Sequence, residues 1–124
     1  MPRTRVVFYR EADGTVPLLD WFATIPAKAK AKCLDRVQNL QGLGHEAKRP
    51  HADYLRDGIY ELRTKLGRVN YRMLYFFHGN VAAVLSHGLV KEARVPPKEI
   101  DWARGRMMKF KANPAEHTFE EESS

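Results

Sequence analysis

Two arginines and a histidine stand in three consecutive extended runs: Tyr60-Glu61-Leu62-Arg63, Val69-Asn70-Tyr71-Arg72-Met73-Leu74-Tyr75-Phe76-Phe77 and Leu85-Ser86-His87-Gly88. Gly67-Arg68 and Gly79-Asn80 read as two-residue hairpin turns between them, with glycine at the position that needs positive φ. A loop of that length at Gly67-Arg68 pairs Leu66 with Val69, and hence Arg63 with Arg72. The same loop at Gly79-Asn80 pairs His78 with Val81, and hence Arg72 with His87. Side chains alternate between the faces of a strand. Glu61, Arg63, Lys65, Asn70, Arg72 and His87 are therefore expected on one face with Leu74, Phe76, Ala83 and Leu85. Tyr60, Leu62, Tyr71, Met73, Tyr75 and Val84 take the other. Like charges directly opposite each other destabilise a sheet, so a row that keeps two arginines is suited to an anion, phosphate first.

The chemistry open to such a row is phosphodiester cleavage without a metal. Arg63 and Arg72 offer planar, permanently charged forks for phosphate oxygens. His87 exchanges a proton near neutral pH at its ordinary pKa; a hydrogen-bonded structural histidine is the competing reading. Glu61 is able to pair with an arginine or to act as a base, and Lys91, just past the last strand, adds charge. A base would take the ribose 2′-hydroxyl proton, the oxygen would attack the adjacent phosphorus, and the arginines would stabilise the charge that develops. The substrate would then be RNA. An Arg72→Ala change is expected to abolish activity with the fold intact. Lys65, Lys48, Arg49 and Arg94 complete a set of RNA-binding cations. The single Cys33 and the scattered histidines have no zinc-site spacing, and neither a phosphate-cradling glycine loop nor a nucleophile elbow occurs. No cofactor or metal is implied.

The elements that must position these residues are legible. Arg5–Arg10 is a β-branched and aromatic first strand. Pro17 opens a helix with Leu18, Trp21, Phe22 and Ile25 on one face, and Pro26 separates it from a second over about 27–41, lined by Cys33, Leu34, Val37 and Leu40. Gly44 to Gly58 reads as a polar connection. The strands follow at about 59–66, 69–77 and 81–89. Pro96-Pro97 starts a third helix over about 98–109, with Ile100, Ala103, Met107 and Phe110 inward and Trp102 beside them. The order is β-α-α-β-β-β-α: an α+β domain over residues 1–111, an antiparallel meander with a helical hairpin on one face. Residues 112–124 read as an acidic, disordered tail.

The 124 residues suit one domain. The net charge of +6 hides an asymmetry: residues 1–114 hold all 21 basic side chains against 11 of the 15 acidic ones, which is +10. A basic body points to a polyanion, with ordinary solubility charge as the alternative. The acidic tail either screens that body or is a solvated end. No apolar run is long enough to span a membrane, no signal peptide is read at the N-terminus, and a cytoplasmic location follows by default.

Taken as a set, several segments resemble the RelE/ParE toxin superfamily, nearest to its phage-derived, HigB-like branch. They are Asp57-Gly58-Ile59-Tyr60-Glu61-Leu62-Arg63, Tyr71-Arg72-Met73-Leu74-Tyr75-Phe76, His87-Gly88-Leu89-Val90-Lys91 and Pro96-Pro97-Lys98-Glu99-Ile100, with Trp21-Phe22, Ile25-Pro26, Gly44-His45-Glu46 and Pro50-His51 before them. The resemblance implies a toxin of a type II toxin–antitoxin pair with a RelE-like fold. It implies a ribosome-associated mRNA endonuclease that needs no metal, and a separate antitoxin, commonly a helix-turn-helix DNA-binding protein. Arg72 falls on the family's phosphate-contacting YR arginine, Arg63 on a basic second-strand position, and His87 and Lys91 on the region of catalytic or charge-stabilising groups. Lys91-Glu92-Ala93-Arg94 departs from the branch's Lys-Lys-Thr-Gln, and Glu61 stands where RelE has lysine. The alternative function is a non-catalytic binding protein, either a ParE-like gyrase inhibitor or a phage-derived regulator.

Overall fold

Strand β4, Val69–His78, is the centre of the molecule, and six consecutive residues of it, 71–76, are buried. A strand covered on both faces needs an apolar layer on each, and the computed structural model, which describes residues 4–79, 82–91 and 93–120, supplies both. The element order is β1 (Arg5–Tyr9), α1 (Pro17–Phe22), α2 (Ala27–Leu43), a short 3-10 turn at Gly44–Glu46, β2 (Ala52–Arg56), β3 (Ile59–Leu66), β4, β5 (Ala82–Val90), α3 (Pro97–Ala112) and β6 (Thr118–Phe119). The sheet runs β2-β3-β4-β5-β1-β6. All neighbours are antiparallel except β1 and β5, which are parallel.

On one face, Leu18 and Phe22 of α1 and Ala29, Cys33, Val37 and Leu40 of α2 pack on Leu62, Tyr71, Met73, Tyr75, Ala83 and Leu85. On the other, Ile100, Ala103, Met107 and Phe110 of α3 cover Val7, Tyr9, Ile59, Leu74, Phe76 and Val84. The expected helical hairpin, and the expected inward face of α3, are both present. Leu34 and Trp102 are not inward: they are 41% and 54% exposed. Close packing of the hairpin depends on Gly88, where a methyl group would overlap the Trp21 ring.

Three features depart from the sequence reading. Residues 52–58 are not plain connection. Ala52–Arg56 forms edge strand β2, joined to β3 through Asp57-Gly58, both at positive φ (54° and 85°). That is the Asp-Gly signature of a tight hairpin. Part of the tail is also ordered: Phe119 and Thr118 pair with Phe8 and Tyr9 of β1, while residues 121–124 lie outside the described residues. Finally, His78 pairs with Ala82, so three residues separate β4 from β5, two of which (80 and 81, including the expected turn residue Asn80) lie outside the described residues.

The longer loop changes the register. It moves Ala83 and Leu85 to the face of Tyr75, and Val84 to the face of Phe76, the reverse of the expected assignment. A bulge then falls between the Tyr75–Leu85 and Leu74–His87 pairs, with Ser86 as the extra residue. The second shift restores the faces, but His87 ends two residues from its expected position. It lies opposite Leu74, and Leu89 lies opposite Arg72.

Candidate functional site

The hairpin of β3 and β4 holds the expected register, and Arg63 stands opposite Arg72. Their mutual repulsion is resolved by Glu61 from the same face. Arg72 Nη1 donates to both carboxylate oxygens, at 3.0 and 3.3 Å, and its Nε donates to the Lys91 carbonyl at 3.2 Å. Glu61 is 2% exposed and Arg72 is 8% exposed. Arg63 Nε lies 3.6 Å from the same carboxylate and has no hydrogen-bond partner among the described residues, while a third of the Arg63 side chain reaches solvent. The trio of two guanidiniums and one carboxylate carries a net charge of +1, and that charge opens outward at Arg63.

His87 does not belong to this group. The bulge turns it beneath α3, where it is buried beside Ser86 and Arg106. Arg106 Nη1 lies 2.9 Å from His87 Nδ1 and donates to Ser86 Oγ at 3.2 Å. A guanidinium is donor only, so Nδ1 accepts and the hydrogen sits on Nε2. Nε2 is 3.3 Å from a Glu99 carboxylate oxygen, without an aligned hydrogen bond. Burial, reinforced by the Arg106 charge, pushes the imidazole pKa down to about 4. The expectation of a three-residue row Arg63–Arg72–His87 is thus corrected to a two-arginine pair closed by Glu61, and His87 is neutral at pH 7.

A cleft of about 380 Å³ opens where β3 runs past the end of β2, between α2 and the Pro50-His51 segment. Lys32 and Arg36 of α2, His51, Arg63 and Lys65 line it together with Pro50, Thr64 and Asn70, and none of the eight is acidic. Its walls are tied to one another. Arg36 Nε donates to the Arg63 carbonyl at 3.2 Å, and the Arg63 amide donates to the His51 carbonyl at 2.7 Å. The fold therefore brings three cation-bearing segments to one concave surface at the open edge of β3, which Arg63 meets through its backbone N–H and carbonyl.

The other singled-out cations are dispersed. Lys91 is exposed and touches the arginine pair only through its carbonyl, which accepts from Arg72. Arg94 is exposed on the segment before α3, and Glu92 lies outside the described residues. Lys48 and Arg49 border a second cavity of about 240 Å³ beside the cleft, and Arg49 pairs with Asp53 at 2.9 Å. Lys32, Arg36 and His51 were not among the residues selected from sequence. The helical spacing of Lys28, Lys32 and Arg36 on α2 is the signal that would have pointed to the first two. His51 becomes visible once Asp57-Gly58 is read as a hairpin, because that pairs the segment just after it with β3.

A mixed, mostly antiparallel sheet with a helical hairpin on one face, a third helix on the other and a cationic cleft at one end of its strands is a RelE-like α+β domain. The chain belongs to the family described as phage derived protein Gp49-like, whose model matches residues 20–108, and that family lies within the RelE/HigB toxin-like clan. No curated protein matches the chain. The matched region runs from within α1 to within α3 and leaves β1 and β6 outside it. Among the described residues, no helix is long and apolar enough to cross a membrane.

Proposed function

We propose that the chain is the toxin of a type II toxin–antitoxin pair, of the HigB-like branch, and that it cuts mRNA at the ribosome without a metal. The observation that carries this reading is the cleft of Lys32, Arg36, His51, Arg63 and Lys65 with no acidic lining among the described residues. Family membership supports the toxin class, and a cleft of this sign suits a polyanionic strand. In the proposed reaction Arg63 and Lys65 hold the scissile phosphate. Glu61, fixed by Arg72, sets the direction of the Arg63 guanidinium. His51 is the histidine that lines the cleft, and in this reading its imidazole takes the 2′-hydroxyl proton. The 2′-oxygen then bonds to phosphorus, the 5′-oxygen leaves and takes a proton from water, and a 2′,3′-cyclic phosphate remains. His87 has no part in the proton transfer, being buried and held neutral. The partner that restrains the toxin is a separate antitoxin, with a helix-turn-helix DNA-binding protein as the expected type.

The second reading is a non-catalytic binding protein, and one observation favours it. The Glu61–Arg72 contact engages both candidate groups with each other, and so withholds them from a substrate. Primer extension on cellular mRNA after induction separates the two readings. Codon-linked cuts that disappear in Arg63→Gln and fall at least about 100-fold in His51→Ala are the expected result. Growth arrest with intact mRNA and DNA-damage signalling would discard the nuclease in favour of gyrase inhibition.

A further inference from the structure

The cationic cleft does not end at His51. Arg36 and His51 also line the second cavity, of about 240 Å³, which lies between the C-terminal half of α2 and the segment leading into β2. The character of the surface changes across that boundary. The second cavity is walled by Leu40, Leu43, Ala47, Ala52 and Leu62. Leu43, which lines it, is 49% exposed, so the apolar lining is reachable from solvent. Its polar lining beyond Arg36 and His51 is Asn39, Glu46, Lys48 and Arg49, which supply donor and acceptor atoms.

A ligand matched to both spaces carries an anion at one end and an apolar body with hydrogen-bonding groups at the other. Those are the parts of a nucleotide. We infer that the paired cavities form a nucleotide site, with the backbone phosphate in the cleft of Arg63 and Lys65 and one unstacked base inserted between α2 and the 47–52 segment. The two volumes together fall in the range of small-ligand clefts, roughly 300–1,000 Å³. Arg36 and His51 stand at the junction, where a ribose would join base to phosphate. The inference rests on the RNA reading above and adds a base subsite to it, so that a single-stranded segment with a free base is preferred over a duplex.

The test separates base from charge. The whole protein is titrated with a 2′-O-methyl hexanucleotide, which lacks the attacking hydroxyl, and with the same oligomer carrying one abasic position, both labelled for fluorescence anisotropy. The intact oligomer is expected to bind at least about tenfold more tightly, as base stacking on a protein surface does. Leu43→Gln, a charge-neutral change at a half-exposed side chain, is expected to remove most of that difference and to leave the abasic oligomer's affinity unchanged. Lys65→Ala is expected to weaken both equally. Equal affinities for the two oligomers, equal loss of both in Leu43→Gln, or no binding of either overturns the base subsite. A base-dependent affinity in a protein that leaves cellular mRNA uncut keeps the site and discards the nuclease reading.

Discussion

Arg72 illustrates how a residue chosen for catalysis can hold the structure first. Its guanidinium is the hydrogen-bonding partner of a Glu61 carboxylate that is 2% exposed. Removing one member of a buried pair strands the other charge and costs about 3–5 kcal/mol. Arg72→Ala is therefore expected to lower the urea midpoint sharply, so loss of activity in that variant will not by itself report on chemistry. Replacing both members, as in Glu61→Leu with Arg72→Met, is expected to recover much of the stability, because no charge is then left unpaired. His87 gives a pH signature. Its folded pKa of about 4 lies below the ordinary 6.5, so between those values the unfolded chain binds the extra proton. Its contribution is complete above pH 6.5 and is lost as the pH falls toward 4, by roughly 3 kcal/mol. Denaturant melts across that window should show a steeper loss for the wild type than for His87→Gln.

At the scale of elements, the segment after α3 closes one edge of the sheet. His117 stacks on the buried Tyr9 ring with centroids 5.1 Å apart, its Nδ1 lies 2.8 Å from the Arg10 carbonyl, and β6 pairs with β1. The Arg5–Glu120 bridge is exposed and adds little. A chain ending at Ala112 would leave β1 as an open edge strand, which templates association. Such a truncation is expected to lose about 1–2 kcal/mol, since a stacked aromatic pair contributes about 0.5–1.5 kcal/mol beyond its burial. It is also expected to elute as larger species in light-scattering chromatography, and a monodisperse, equally stable product would show that β6 does not guard the edge. The bulge at Ser86 is the second element-scale device. It places a histidine that pattern alone assigns to the arginines into a buried contact with α3 instead.

For the whole molecule, charge is arranged rather than merely accumulated. The cleft cations lie by β3, near one edge of the sheet, while Glu116 and Glu120 follow α3 to the other edge at β6. The described acids of the C-terminal segment thus pair locally, and the cleft keeps its sign. Binding to single-stranded RNA should then depend steeply on salt, with a slope of about −0.7 per phosphate engaged. With four cations in contact, raising monovalent salt fourfold should weaken binding by about 50-fold. Lys32→Ala should flatten that slope by nearly one phosphate, measurable by anisotropy titrations at several ionic strengths.

Local pattern carried much of this protein. Helical periodicity identified the inward face of α3 and, Leu34 apart, that of α2, prolines marked the three helix starts, and the Gly67-Arg68 loop length correctly set Arg63 against Arg72. These are short-range matters, settled by steric preference and by hydrophobic spacing within one element. Loop geometry and long-range pairing were not legible in the same way. A loop one residue longer and a single bulged serine, each a small local change, moved His87 away from the arginines because strand pairing propagates every shift along its length. The pairing of Glu61 with an arginine was one of two readings open within the hairpin, whereas the convergence of Lys32, Arg36 and His51 on the 63–65 segment joins residues distant in the chain. Only tertiary packing could decide that convergence, because what brings those cations together is the burial of the apolar faces behind them and not any attraction among the cations themselves.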